Sequence, residues 1–114
     1  MKRSIACSSQ IRICCEYIDS HPEDRLTLDL LAEKVGYTEH HLSRKFGLEM
    51  SCSITDYINK SKMERAKFML INTKFSIQII SERLGFDSRS YFSYTFRKFT
   101  GETPSDYRKE NQLI

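Results

Sequence analysis

Apolar residues recur at helical spacing along most of the chain, and the places where that register breaks say as much as the register itself. Ile11, Cys14, Cys15 and Ile18 fall at i, i+3, i+4 and i+7, one stripe of a helix. Leu28, Leu31 and Val35 form a second stripe, and Leu42 with Phe46 a third. Ile54, Tyr57 and Ile58 open a fourth, which passes to Met63, Ala66 and Leu70 on nearly the opposite side. Ile77, Ile80 and Leu84, then Phe92, Phe96 and Phe99, complete the set. No segment alternates with the period of two that a half-buried strand needs, so the expected fold class is all-α.

The register breaks twice at glycine, once in "KVGYT" and once in "RLGFDS". Leu28, Leu31, Val35, Gly36 and Tyr37 align with Ile77, Ile80, Leu84, Gly85 and Phe86 at one offset. After a single inserted residue, Asp87, Thr38, Leu42, Ser43 and Phe46 align with Ser88, Phe92, Ser93 and Phe96. The same unit occurs twice. Each copy reads as a helix, a Gly-aromatic corner where positive φ is wanted, and a second helix capped by Thr38 or Ser88. Two helices joined by a short Gly-containing turn describe a helix-turn-helix, whose second helix can enter a DNA major groove.

Between the copies lies "SITDYINKSKMERAKFMLIN", opened by Ser53 and Asp56 as a variant capping box. About 18 helical residues at 1.5 Å each span about 27 Å. Its two-sided apolar pattern suits packing against one unit first and the other afterwards, and its length approaches the roughly 34 Å between successive major-groove segments on one face of B-DNA. The expected organisation is a first helix-turn-helix subdomain over 8–52, a linker helix over 53–72 and a second subdomain over 73–110, with loose termini at 1–7 and 111–114.

Composition narrows the function. A length of 114 residues permits one domain of ordinary size, and a net charge of +3 is only mildly basic, so placement of charge has to decide. Cys7, Cys14, Cys15 and Cys52 lack zinc-knuckle spacing; Cys14 and Cys15 read as small hydrophobes in a reduced, cytoplasmic compartment. His40 and His41 point about 100° apart on a helix and cannot chelate one ion. No metal and no cofactor are expected. No apolar run approaches membrane-spanning length, "MKRSIAC" lacks an export h-region, and no catalytic constellation or phosphate loop is present, so no enzyme is expected.

The segments "LAEKVGYTEHHLSRKF", "YINKSKMERAKFML" and "ISERLGFDSRSYFSYTFRKFTGETPSDYR" together resemble the DNA-binding domain of the AraC/XylS family of bacterial transcription regulators. The likeness covers roughly Ile11 to Arg108. It implies about seven helices in a homeodomain-like tandem, with two helix-turn-helix subdomains and a long connecting helix. In "TGETPSDYR", Thr103 caps a final structural helix with Pro104 at its first position.

Helical geometry selects the outward residues. With Leu42 and Phe46 facing inward, Glu39, His40, Ser43 and Arg44 occupy the opposite arc; with Phe92, Phe96 and Phe99 inward, Arg89, Ser90, Ser93 and Tyr94 do. These are also the positions the family uses for base contacts. Arg44 and Arg89 suit bidentate pairing with guanine O6 and N7. Thr38, Lys45, Ser88, Arg97 and Lys98 are the candidate phosphate contacts. The aromatics Phe75, Phe86, Tyr91, Phe92, Phe96 and Phe99 read as core. Tyr94 stands where the family often has Arg, and "GLEMSCS" replaces a basic pair and a glycine that the family tends to have after the position of Phe46.

The expected function is sequence-specific binding of double-stranded promoter DNA by both units in adjacent major-groove segments, activating bacterial transcription through RNA polymerase. The family further implies a separate sensing or dimerisation domain as partner. The alternative is a protein-interaction module that keeps the fold with weakened base reading.

Overall fold

The computed structural model describes residues 7–112. Among them are seven helices and no strand: α1 (Ser9–Ser20), α2 (Leu28–Val35), α3 (Glu39–Met50), α4 (Ile54–Asn72), α5 (Ile77–Arg83), α6 (Arg89–Thr100) and α7 (Pro104–Asn111). The chain is all-α, as the periodicity indicates. Of the expected loose termini at 1–7 and 111–114, residues 1–6 and 113–114 lie outside the described residues; Cys7 is buried in the first core, and Asn111 ends α7 with Gln112 as its cap. Contacts divide the described chain into two units. The first holds the residues up to His21 and Leu26–Ile58; the second holds Pro22–Arg25 and everything from Asn59 onward.

In the first unit Ile11, Cys14, Cys15 and Ile18 from α1 pack with Leu31, Ala32, Leu42 and Phe46, and with Ile54, Tyr57 and Ile58 from the start of α4. Phe46 meets Tyr57 edge to face at 5.6 Å, and the Tyr57 hydroxyl donates to Asp19 Oδ2 at 3.0 Å, which satisfies the polar end of a buried ring. Burial, reinforced by neighbouring Cys15, pushes the Cys14 thiol up to about 12, as befits a side chain serving as a small hydrophobe. The second core is richer in aromatics. Met63, Ala66, Met69 and Leu70 from α4 surround Ile80, Leu84, Phe86, Phe92 and Phe96, with Phe92 edge-on to Phe86 and Phe96 edge-on to Tyr107. Burying each such ring is worth roughly 1.5–3 kcal/mol.

The two glycine corners are built alike. Gly36 has φ +77° and Gly85 φ +80°, a region that costs a β-carbon-bearing residue roughly 1–2 kcal/mol. At each corner the glycine N–H donates to the carbonyl three residues back, Glu33 or Glu82, and the following aromatic donates to the carbonyl five back, Ala32 or Ser81. These bonds satisfy carbonyls that the helix end would leave orphaned. The next helix then starts on the expected cap: Thr38 Oγ1 accepts from the His41 N–H and Ser88 Oγ from the Tyr91 N–H. Ser53 and Thr103 cap α4 and α7 in the same way.

Two features depart from the sequence reading. Tyr91, grouped there with the core aromatics, is 49% exposed and meets only the edge of the core, at Phe86. One residue before Phe92, it sits 100° round the helix from the buried stripe. The loop Pro22–Arg25, which carries no periodic signal, is built into the second unit. Lys62, 6% exposed in α4, donates to the carbonyl oxygens of Pro22 and Asp24, and Arg65 pairs with Glu23 at 3.1 Å. Charge-assisted donation to two carbonyls is what lets a buried ammonium persist.

Candidate nucleic-acid interface

Helices α3 and α6 are each the second helix of a helix-turn-helix, and packing fixes which way each one faces. Leu42 and Phe46 are wholly buried in α3, as are Phe92 and Phe96 in α6. Their outward arcs follow by geometry. Glu39, His40, Ser43 and Arg44 are exposed on the first; Arg89, Ser90 and Tyr94 are exposed and Ser93 half-buried on the second. Neither Arg44 nor Arg89 makes a hydrogen bond or ion pair with another described residue, so both guanidinium forks are open to an incoming group. Tyr94 is 64% exposed and presents a phenolic ring with a hydroxyl at its tip.

The candidate phosphate contacts differ in availability. Thr38 and Ser88 use oxygen lone pairs for capping, which leaves each hydroxyl proton free to donate outward. Arg97 and Lys98 are exposed without a partner among the described residues. Lys45 is engaged. Its Nζ lies 2.9 Å from Glu49 Oε2, one helical turn on, and Glu49 Oε1 accepts from the Ser8 backbone N–H at 2.7 Å. The amide bond and the lysine together hold the Glu49 carboxyl below the usual range, and the Glu49 partnership pushes Lys45 up. The pairing is legible as an i, i+4 spacing; the Ser8 amide is not.

His41 stacks on Tyr37 with ring centroids 4.1 Å apart, while His40 is exposed on the reading arc. Among the described residues no cluster of His, Cys, Asp or Glu could hold a metal ion, and no helix is long and apolar enough to cross a membrane. Sequence reasoning gave no role to Arg25, whose guanidinium pairs with Asp87, the inserted residue next to the α6 cap. Its only sequence trace is that insertion.

Comparison with known proteins fits this geometry. Residues 31–110 match a family model described as a helix-turn-helix domain. The chain is 35% identical over 112 residues to an uncharacterized HTH-type transcriptional regulator of Staphylococcus aureus strain MRSA252, covering 98% of this chain and 15% of that protein. It is 31% identical over 101 residues to the arabinose operon regulatory protein of Salmonella typhimurium strain LT2, covering 88% of this chain and 36% of that one. The chain thus spans a minor part of these curated relatives. Among solved structures, the C-terminal domain of AraT, a response regulator from Geobacillus stearothermophilus, superposes with a TM-score of 0.88 at 33% identity, over 96% of this chain and 91% of that one. The xylose-binding transcription activator XylR superposes at 0.80 and 31% identity, over 97% of this chain and 29% of that one. None of these is described as an enzyme; by family match, identity and fold, the chain belongs to the AraC/XylS family of transcription regulators, as its helix-turn-helix DNA-binding domain.

Proposed function

We propose that the chain reads double-stranded promoter DNA with both units, α3 and α6 entering adjacent major-groove segments, and that it activates bacterial transcription. The observation that carries this reading is the pair of exposed, unpaired arginines, Arg44 and Arg89, on the outward arcs of two equivalent helices. An open guanidinium fork matches guanine O6 and N7. Glu39, His40, Ser43, Ser90, Ser93 and Tyr94 complete the base-facing set; Thr38, Ser88, Arg97 and Lys98 flank it as phosphate contacts, joined by Lys45 once Glu49 releases it. Activation is supported by the likeness to the activator XylR, and RNA polymerase is the partner that activation implies. A cytoplasmic location follows from that role. A sensing or dimerisation domain is a further partner, since the relatives extend well beyond the matched part.

The test is selection of bound duplexes from a randomised pool at near-physiological salt. Two enriched blocks about one helical turn apart support reading by both units. A single block removes one unit from base reading. No enrichment overturns the proposal in favour of a protein-interaction module.

A further inference from the structure

The second helix-turn-helix contains one residue that the first lacks, and it is a carboxylate at an awkward place. Asp87 immediately precedes the cap Ser88 and lies two residues before Arg89. A negative charge there repels the phosphate backbone that α6 has to approach. The structure supplies a counter-charge from 62 positions away: Arg25 Nη2 donates to Asp87 Oδ1. Arg25 is not a stray surface side chain. Its loop is fastened to the second unit by Lys62 through the carbonyls of Pro22 and Asp24, and by Arg65 through Glu23. The loop also lies against the turn itself, since a β-carbon on Gly85 would be 3.5 Å from the Asp24 carbonyl oxygen and 3.6 Å from the Arg25 α-carbon. Both members of the pair are mostly exposed, so the pair does little for stability, and its position matters more than its strength.

We infer that Arg25 is a positioning residue of the second unit's DNA-reading helix: by neutralising Asp87 it keeps the start of α6 electrostatically open to a backbone phosphate. The inference rests on the duplex-binding reading above. It makes opposite demands on the two partners. Loss of Arg25 exposes the carboxylate and weakens binding; loss of the Asp87 charge does not.

The test measures affinity of the full chain and of Arg25→Ala, Arg25→Gln, Asp87→Asn and the Arg25→Ala/Asp87→Asn double variant for a duplex the wild type binds, at about 50 and 200 mM salt. Thermal melts establish that each variant is folded. The expected result is a loss of roughly fivefold for both Arg25 variants that shrinks at the higher salt, wild-type or tighter binding for Asp87→Asn, and recovery of the double variant to within about twofold of wild type. Unchanged binding by the Arg25 variants overturns the inference. So does an Asp87→Asn loss equal to that of Arg25→Ala, which marks the pair as scaffolding, or a double variant as weak as Arg25→Ala, which marks Arg25 as acting without Asp87. Failure of the wild type to bind any duplex removes the functional reading itself, a result distinct from all of these.

Discussion

Helices α3 and α6 have the same length, hydroxyl caps at the same place and the same buried register, yet their outward faces share little. Residues 39–50 carry two carboxylates, Glu39 and Glu49, against Arg44 and Lys45, whereas residues 89–100 carry Arg89, Arg97 and Lys98 with no acid. Arginine stands at the first position of α6, where α3 has glutamate; at the sixth position α3 has arginine and α6 has tyrosine. Beyond the buried phenylalanines, Leu48 of the first unit is 73% exposed where the second has Lys98. The inner faces of a duplicated unit are held by packing, because any change there leaves a cavity or a clash. The outer faces are held only by what they touch. The two helices therefore differ in the charge they present outward. Helix α6 carries three cations and no acid, whereas the four charged side chains of α3 balance.

The largest expected effects test whether that division reaches base reading. Arg44→Ala and Arg89→Ala should each cost roughly 1–3 kcal/mol of duplex affinity and relax preference at one base pair in its own block of the site. Equal losses on selected and scrambled duplexes, for either variant, would reduce that arginine to a phosphate contact.

Alkaline pH should act on the two units with opposite sign. In the first unit the folded chain holds the Cys14 proton up to about 12 against an ordinary 9.0, so the unfolded chain ionises first and stability falls as pH rises above 9. In the second, burial pushes Lys62 down to about 8 from 10.5, so between those values the unfolded chain binds the extra proton and the Lys62 contribution improves with pH. Each slope is at most about 1.4 kcal/mol per pH unit. Urea denaturation at pH 8.5 and 10 checks the signs: wild type should lose ground to Cys14→Ala and gain it on Lys62→Met. Movement of both differences in one direction would refute the assignment.

A smaller asymmetry sits at the helix ends. Ser51 follows α3 with φ +62°, where Gly101 follows α6 with φ +87°. Ser51→Gly should stabilise and Gly101→Ala destabilise, each by about 1 kcal/mol, read as shifts in melting temperature. A stabilising Gly101→Ala would contradict the expected backbone strain.

The smallest effect concerns salt. Lys98→Ala and Lys45→Ala should each lower the slope of log affinity against log salt by roughly 0.9, the second because Lys45 leaves Glu49 for a phosphate on binding. A smaller change for Lys45→Ala would mean that Glu49 keeps the ammonium and that Lys45 is not a phosphate contact.

Much of the fold was legible because it rests on local rules. The buried stripes, the positive-φ corners at Gly36 and Gly85, and the caps at Thr38, Ser88 and Thr103 all follow from residues within one or two helical turns of each other. Illegible parts depend on partners distant in sequence. Lys62 looks like any solvated lysine until the Pro22 and Asp24 carbonyls, about forty positions away, close over it. The Tyr91 ring belongs to an aromatic-rich stretch, and only its angle from Phe92 shows that it faces outward. Of the candidate interface, the outward arcs could be read from spacing, and so could the engagement of Lys45 by Glu49. The opposing charge of Arg25 could not.

The extra residue in the second turn leaves the phase of the helix after it untouched. Asp87 lies before the capping serine, so the helix takes its phase from Ser88 rather than from the length of the turn that precedes it. Turn length is therefore uncoupled from the buried register: Phe92 and Phe96 keep the distance from Ser88 that Leu42 and Phe46 keep from Thr38, whatever precedes the cap.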